Sequence, residues 1–302
     1  MGILKSAYLG YSLVYAHHGE ILQGVFEEKT GHLCRALITL PCNIFRAEAK
    51  FQYNTSKKLL VNPEWKNKAR TAAELTLAYL DAQVCGNLEI CSNIPLTIGL
   101  GSSTSDVTAT IKSIVDAFKR KLTSKIISHL SVKAEIASDP IMFDESSVLF
   151  AHRKGIVIED FGMLLPPMDI VGFNSDPLSP GIETLTLPPI RYTWQEILSF
   201  RSLLGLIRTA ILKQDVNLVG KVATISARIN QKYLPKPKFS EIEKVVEKTG
   251  AVGLQVAHSG TVVGIIFDST ERCEIKEGKI KYCKSLLEEL GFKNSWHYYL
   301  NN

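Results

Sequence analysis

The sequence predicts a two-domain α+β protein. Three observations carry that expectation. Strand-like and helix-like segments are mixed in both halves of the chain, the pattern of α+β units. Its 302 residues suffice for one large or two modest domains with real cores. Pro166-Pro167 punctuates the chain just before an apolar segment, which divides it into residues 1–165 and 166–302.

The elements follow in order. Apolar-rich segments around Ile3 to Tyr15 and Cys34 to Ala49 read as strands. Thr71 to Val84 reads as a helix with Leu75, Ala78 and Tyr79 inward. Leu88 to Ile94 reads as a strand that ends in Pro95. The helix after it places Val107, Ile111, Ile114, Val115 and Phe118 on one face. Another helix spans Ser124 to Ala137. Val148 to Ala151 and Gly155 to Glu159 read as a hairpin. Beyond the two prolines come a strand at Ile170 to Phe173 and a looser stretch from Asp176 to Pro189. Helices follow at Thr193 to Lys213 and Asp215 to Lys232. Pro235-Lys236-Pro237-Lys238 reads as a linker or exposed loop. A helix at Ser240 to Lys248, strands at Val252 to Ala257 and Val262 to Phe267, a helix at Lys279 to Leu290 and a strand at Ser295 to Tyr299 complete the chain. There is no internal repeat and no low-complexity tract.

Composition excludes several classes. Hydrophobic residues make up 45% and charged residues 22%, ordinary for a soluble globular protein. A net charge of +5 suits an anionic ligand such as a nucleotide. The basic residues are scattered, and Lys119-Arg120-Lys121 reads as a helix end set favourably against the dipole. No basic stripe is interleaved with aromatics, which argues against nucleic acid as a partner. No apolar run reaches membrane-spanning length, and no signal peptide is visible. The six cysteines (34, 42, 85, 91, 273, 283) form no C-x-x-C pair and no zinc spacing. They read as reduced, mostly buried thiols of a cytoplasmic protein.

The most informative run is Pro95-Leu96-Thr97-Ile98-Gly99-Leu100-Gly101-Ser102-Ser103-Thr104-Ser105-Asp106. Gly99 and Gly101 let a backbone approach a ligand closely. Ser102 to Ser105 then offer amides and hydroxyls at a helix N-terminus, where anions are favoured. No Gly-Lys-Ser/Thr follows, so this is no Walker A loop. The spacing is no dinucleotide fingerprint either. An ordinary strand-to-helix turn with a Ser/Thr cap would use the same residue types.

That run resembles the second motif of the GHMP kinases, Pro-x-x-x-Gly-Leu-Gly-Ser-Ser before a helix. Two further segments resemble motifs of the same superfamily, and of its PduX-type L-threonine kinases in particular. Gly19-Glu20-Ile21-Leu22-Gln23-Gly24 is similar to the first motif. Ala257-His258-Ser259-Gly260-Thr261-Val262 is similar to the third. The resemblance implies an S5-like N-terminal ATP-binding domain, a ferredoxin-like C-terminal domain and a cleft between them. It implies phosphorylation of a small hydroxyl acceptor by ATP with Mg²⁺. L-threonine is the first acceptor, its product supplying the cobalamin side chain. Homoserine, serine or an amino alcohol is the alternative, and a non-catalytic nucleotide or metabolite sensor is the third. A homodimer is left open.

The same resemblance implies roles residue by residue. Gly99, Leu100, Gly101, Ser102, Ser103 and Thr104 wrap the ATP phosphates. Ser103 and Glu135 hold the metal. Glu135 stands four residues before Asp139, one more than in the family pattern. Asp139 is the base or orienting group for the acceptor, although a helix-end or Asx-turn residue would look alike. Asp144 and Glu145 are the fallback acids. Glu20, Gln23, His18, Ser259, Gly260 and Thr261 are the candidate acceptor-binding residues. Where the family shows Ser-Cys, this chain has His17-His18. Together with His258 they raise a metal reading, but neighbouring strand residues face opposite ways and cannot readily share one ion. Asp106 reads as a dipole-compensating residue. Arg208 and Arg228 read as helix-surface charges rather than contacts to a substrate carboxylate.

Overall fold

A computed structural model describes residues 8–55, 58–179 and 190–300. Two long strands form its backbone, β1 (Leu9–Glu27) and β2 (Leu33–Gln52), paired antiparallel. The pairing slips between Tyr15 and Ala16, between His17 and Glu20, and between Glu20 and Leu22. Bulges of this kind bend a strand and re-aim its side chains, and here they cluster on the His17–Gly24 segment. The first strand thus runs further than its sequence suggests, through the glycines. Residues 3–7 of that reading lie outside the described residues, as do residues 180–189 of the looser stretch.

On the far side of β2 lie β4 (Gly86–Ser92), antiparallel, and β3 (Leu59–Asn62), parallel to β4. The four-residue β3 is too short to show a pattern in the sequence. Helix α1 (Asn67–Tyr79) precedes β4, and α2 (Ser102–Ala117) and α3 (Ser124–Glu135) follow it. These helices share a cluster that includes Ala72, Val107, Ile111, Ile127 and Leu130. The expected hairpin is present as β5 (Val148–Ala151) and β6 (Ile156–Asp160).

Strand β7 (Met168–Asn174) comes next, then α4 (Trp194–Lys213) and α5 (Val216–Asn230). Thr193 and Glu196 form a reciprocal capping box at the start of α4. Asp215 caps α5 directly after left-handed Gln214, so the two helices turn back on each other within two residues. Helix α6 (Phe239–Thr249), strands β8 (Gly253–Val256) and β9 (Val262–Asp268), helix α7 (Cys273–Glu289) and strand β10 (Trp296–Leu300) complete the fold.

The strand order is β10-β7-β9-β8-β1-β2-β4-β3, with β5 and β6 branching from β2. The sheet therefore runs across Pro166-Pro167 without a break. Along β9, Val262 and Ile266 enter one core with β1, β2, α4 and α5, while Val263, Ile265 and Phe267 enter another with α6 and α7. Both faces are covered, which explains why this strand reads as a continuous apolar run rather than an alternating one. All six cysteines are free, three of them buried.

Candidate active site

Helix α2 starts from Gly101, whose φ of +70° is left-handed, and no side chain caps it. Its first internal bond runs from the Ser105 N–H to the Gly101 carbonyl. The amides ahead of Ser105 have no acceptor within the helix and sit at its positive end. Two motifs close on this loop. Thr261 and Val262 N–H groups donate to the Ile98 carbonyl at 2.9 and 3.0 Å, and the His17 N–H donates to the Leu100 carbonyl at 3.3 Å. A Cβ on Gly101 would overlap the His17 ring, and one on Gly99 (φ +93°) would press on Ala257 and Gly260. The glycines are thus required by packing as well as by backbone conformation.

Two carboxylates stand beside the loop in opposite states. The Ser103 hydroxyl donates to Glu135 Oε2 at 2.7 Å, while Glu135 Oε1 is buried without a partner. Burial drives the Glu135 carboxyl up to about 7, helped by the charge on Asp139 and opposed by the Ser103 hydroxyl. After Glu135, Ile136 turns the chain at a φ of +73°, a costly conformation for a β-branched residue. The Ser138 N–H then bonds the His152 carbonyl, which delivers Asp139 to the loop. Asp139 Oδ2 accepts from His17 Nε2 at 2.9 Å. The Gly19 N–H donates to His17 Nδ1 at 3.2 Å, so that nitrogen is bare and the ring proton is assigned to Nε2. Burial opposes the Asp139 charge, but His17 outweighs it and holds this carboxyl well below the usual range. Burial likewise resists charge on His17, and Asp139 overcomes it to raise that ring.

A second acid–imidazole pair adjoins the first. Glu20 accepts from the His258 N–H and from His258 Nδ1, both at 2.7 Å. Burial lowers His258 and Glu20 more than restores it. The His152 ring lies 5.3 Å from that of His258, and burial presses it down to about 3. A cavity of about 360 Å³ opens beside His17 between β1, β2 and the 140–148 segment, bordered by Tyr15, Pro140 and Phe143. Its size is that of a small-metabolite site.

Donor chemistry separates two possible cation positions. Ligand atoms of His17, Glu20 and Asp139 lie within 4.8 Å of one another. A ligating histidine normally donates through its second ring nitrogen, but His17 Nδ1 accepts from Gly19. That trio is a hydrogen-bonded assembly. The Ser103 hydroxyl and the orphaned oxygen of Glu135 are hard oxygen donors beside the glycine loop and fit a magnesium ion.

Several sequence expectations are corrected. His18 does not face the cleft. It is fully buried in the core, where Trp296 Nε1–H donates to its Nε2 at 3.0 Å and the Gln255 amide lies 2.5 Å from its Nδ1. The indole can only donate, so the proton is on Nδ1, and the Gln255 amide, placed with Nε2 towards it, accepts that proton once its oxygen and nitrogen are exchanged. Burial holds this ring at about 3. Gln23 is buried, and its main chain pins β1 to α5 through Ser226 and Asn230. Asp106 does not compensate a dipole at the surface but pairs with buried Lys66 at 2.5 Å. Lys236 is not in an exposed loop. It is 4% exposed and donates to the Gly260 carbonyl at 2.7 Å. Asp144 and Glu145 are exposed. Arg208 and Arg228 are held at the surface by Glu159 and Glu243, which agrees with their reading as helix-surface charges. Ser259, Gly260 and Thr261 lie on the loop that packs against Gly99. His152 and Lys236 join the site without a motif to mark them; the prolines flanking Lys236 are the available signal of a fixed position.

Fold and site define a protein of the α+β class with acids and imidazoles gathered at a glycine loop and a bare helix N-terminus. Residues 67–143 match the family model described as GHMP kinases N terminal domain. The L-threonine kinase of Salmonella typhimurium is 29% identical over 184 residues, 60% of this chain and 59% of that protein. The homoserine kinase of Streptococcus sanguinis is 26% identical over 59% of this chain and 63% of that one. The chain thus spans less than two thirds of the length of either relative. The crystal structure of homoserine kinase from Cytophaga hutchinsonii superimposes with a TM-score of 0.70 at 14% identity, covering 100% of this chain and 97% of that one. Residues 67–143 thus match the GHMP kinase N-terminal domain, the chain has the fold of the solved homoserine kinase, and its sequence is similar to L-threonine kinases.

Proposed function

We propose that this protein is an ATP-dependent kinase that phosphorylates the hydroxyl of a small amino-acid acceptor. L-threonine is the first candidate and homoserine the second, since curated relatives carry both names. The observation that carries the reading is the convergence on one loop of free helix-end amides, the Ser103–Glu135 pair and the His17-bound Asp139. The chain is read as two lobes divided near residue 166, with O-phospho-L-threonine serving cobalamin side-chain synthesis.

Phosphoryl transfer asks mainly for positioning and charge neutralisation. Residues Gly99 to Thr104 bind the ATP phosphates through amides and hydroxyls. Ser103 and Glu135 would hold the magnesium ion, which neutralises phosphate charge when bound. The acceptor oxygen bonds to the γ-phosphorus while the bond from that phosphorus to the β–γ bridging oxygen breaks, and ADP leaves. The hydroxyl proton passes to the second oxygen of Asp139. A weak base suffices, because in a loose transition state the hydroxyl becomes strongly acidic only as its oxygen bonds phosphorus. His17 fixes the carboxylate by occupying the first oxygen.

The test is ADP release from ATP and Mg²⁺ with purified protein against L-threonine, L-homoserine, L-serine and amino alcohols. Stimulation by one acceptor supports the kinase and names it. ATP binding with no stimulation by any of them defeats the reading.

A further inference from the structure

Two lysines are buried among the described residues, Lys66 at 8% and Lys236 at 4% exposed. They are not alike. Lys66 holds the Asp106 carboxylate at 2.5 Å. The Lys236 ammonium has no carboxylate within 4.0 Å among the described residues, and its one hydrogen bond there is to the Gly260 carbonyl. Buried charges are almost always paired, because an unpaired ion loses its hydration without compensation. The ammonium carries three donors and uses one.

No acid of the cluster is paired with it. Both oxygens of Glu20 are taken by His258. Asp139 and Glu135 each keep one oxygen clear of His17 and Ser103, but neither forms an ion pair with Lys236 within 4.0 Å among the described residues. Lys236 is also not adventitiously placed. It lies between Pro235 and Pro237, whose rings restrict the backbone, and its N–H is fixed by Gln231 Oε1 at 2.7 Å. Its Nζ reaches the glycine that packs on Gly99, so the charge sits at the seam between the third motif and the phosphate loop. The next residue, Thr261, has a buried hydroxyl without a partner. Burial has pushed the Lys236 ammonium down to about 8, against the pull of Glu20. An anion is the missing component.

We propose that Lys236 is the carboxylate-binding residue of the acceptor site, so that this kinase takes hydroxy acids with a free carboxylate in preference to the matching amino alcohols. The inference rests on the acceptor reading above and deepens it. The transferred phosphoryl group is the other source of anionic oxygens at this point, and the test separates the two.

The experiment pairs each amino acid with its decarboxylated counterpart: L-threonine with 1-amino-2-propanol, L-homoserine with 3-amino-1-propanol. Wild-type protein and Lys236→Met are compared by steady-state kinetics. Calorimetric titration of the same compounds is made in the presence of a non-hydrolysable ATP analogue. The expected result is a preference for the amino acid in the wild type that falls at least about tenfold in Lys236→Met, through KM and Kd rather than kcat, and returns in part in Lys236→Arg. Affinity for the ATP analogue holds, which shows that the glycine loop has survived. Equal loss with both members of a pair, carried by kcat, would assign Lys236 to the phosphoryl group and overturn the proposal. Loss of ATP-analogue affinity would make Lys236 a brace for the loop and would overturn it equally. If the wild type phosphorylates nothing, the kinase reading fails; unchanged amino-acid Kd in Lys236→Met then separately overturns the carboxylate site.

Discussion

His17 and His18 are neighbours in sequence and belong to different chemistries. His17 lies against the glycine loop with its proton directed at Asp139, and that carboxylate raises its pKa against the pull of burial. His18 points into the core between Gln255 and Trp296, and burial lowers it to about 3. Both are buried to the same degree. Burial alone therefore does not decide the state of a histidine; what decides it is whether an acid or only neutral groups share the pocket. One face of β1 sets its ring against a carboxylate and the other sets its ring among neutral hydrogen-bonding groups.

The largest way to break this contrast is to remove the acid on the cleft side. Asp139→Asn should cut turnover more than about tenfold, in line with the usual worth of positioned proton transfer, while ATP binding survives. Turnover near that of the wild type would end the role given to Asp139. On the core side the expected loss is of stability. His18→Leu strands the Trp296 N–H and the Gln255 amide, at a cost of about 1–3 kcal/mol for an unsatisfied buried group. Urea titration reads it, and turnover per folded molecule should change little.

A second contrast, between Glu135 and Asp139, can be sharpened by pH. The folded pKa of Glu135 is raised to about 7, above its unfolded value of about 4.3. Its burden on folding is therefore absent below the unfolded value, grows as pH rises towards 7 and is constant beyond. Without divalent cations, Glu135→Gln should match the wild type near pH 4 and exceed it by about 3–4 kcal/mol at pH 8. Equal unfolding midpoints at pH 8 would contradict the raised carboxyl. Magnesium should narrow the gap, since only the wild type keeps the full ligand.

The smallest expected effect is in His17→Ser, the residue type that the resembled family shows there. Asp139 then loses the donor that depresses it and returns toward the ordinary carboxylate range. Activity needs the ionised form, so the acid limb of kcat/KM should move up to about pH 4, with a few-fold loss at neutral pH. Acid limbs that superimpose would show that His17 does not tune Asp139.

Much of this is legible in the sequence, and what is not has physical reasons. The glycine loop and the helix start after it can be read because its glycines and hydroxyls lie together within one local turn. Helices α4 to α6 can be read from apolar spacing and from caps at Thr193 and Asp215. Ser103 and Glu135, named together from the resemblance, lie 32 positions apart and are joined by a hydrogen bond. Strand parity shows that His17 and His18 face opposite ways, but not which one meets the cleft, because the bulges between Tyr15 and Leu22 reset the parity. Lys236 misleads because a Pro-Lys-Pro segment looks solvated until its packing partner, Gly260, is in place. Asp106 misleads for the same reason, its partner being Lys66 on a separate element.

One detail of the sheet has a mechanical consequence. Strands β1 and β8 meet through a single residue pair, Glu20 with Val256, and the side chain of that same Glu20 clasps His258 just beyond the end of β8. The join between the two halves of the sheet is thus a single stitch, and the thread is a residue of the site. The halves cannot part at this point without taking the site apart, so any loosening of the molecule there registers first in its chemistry and only afterwards in its overall shape.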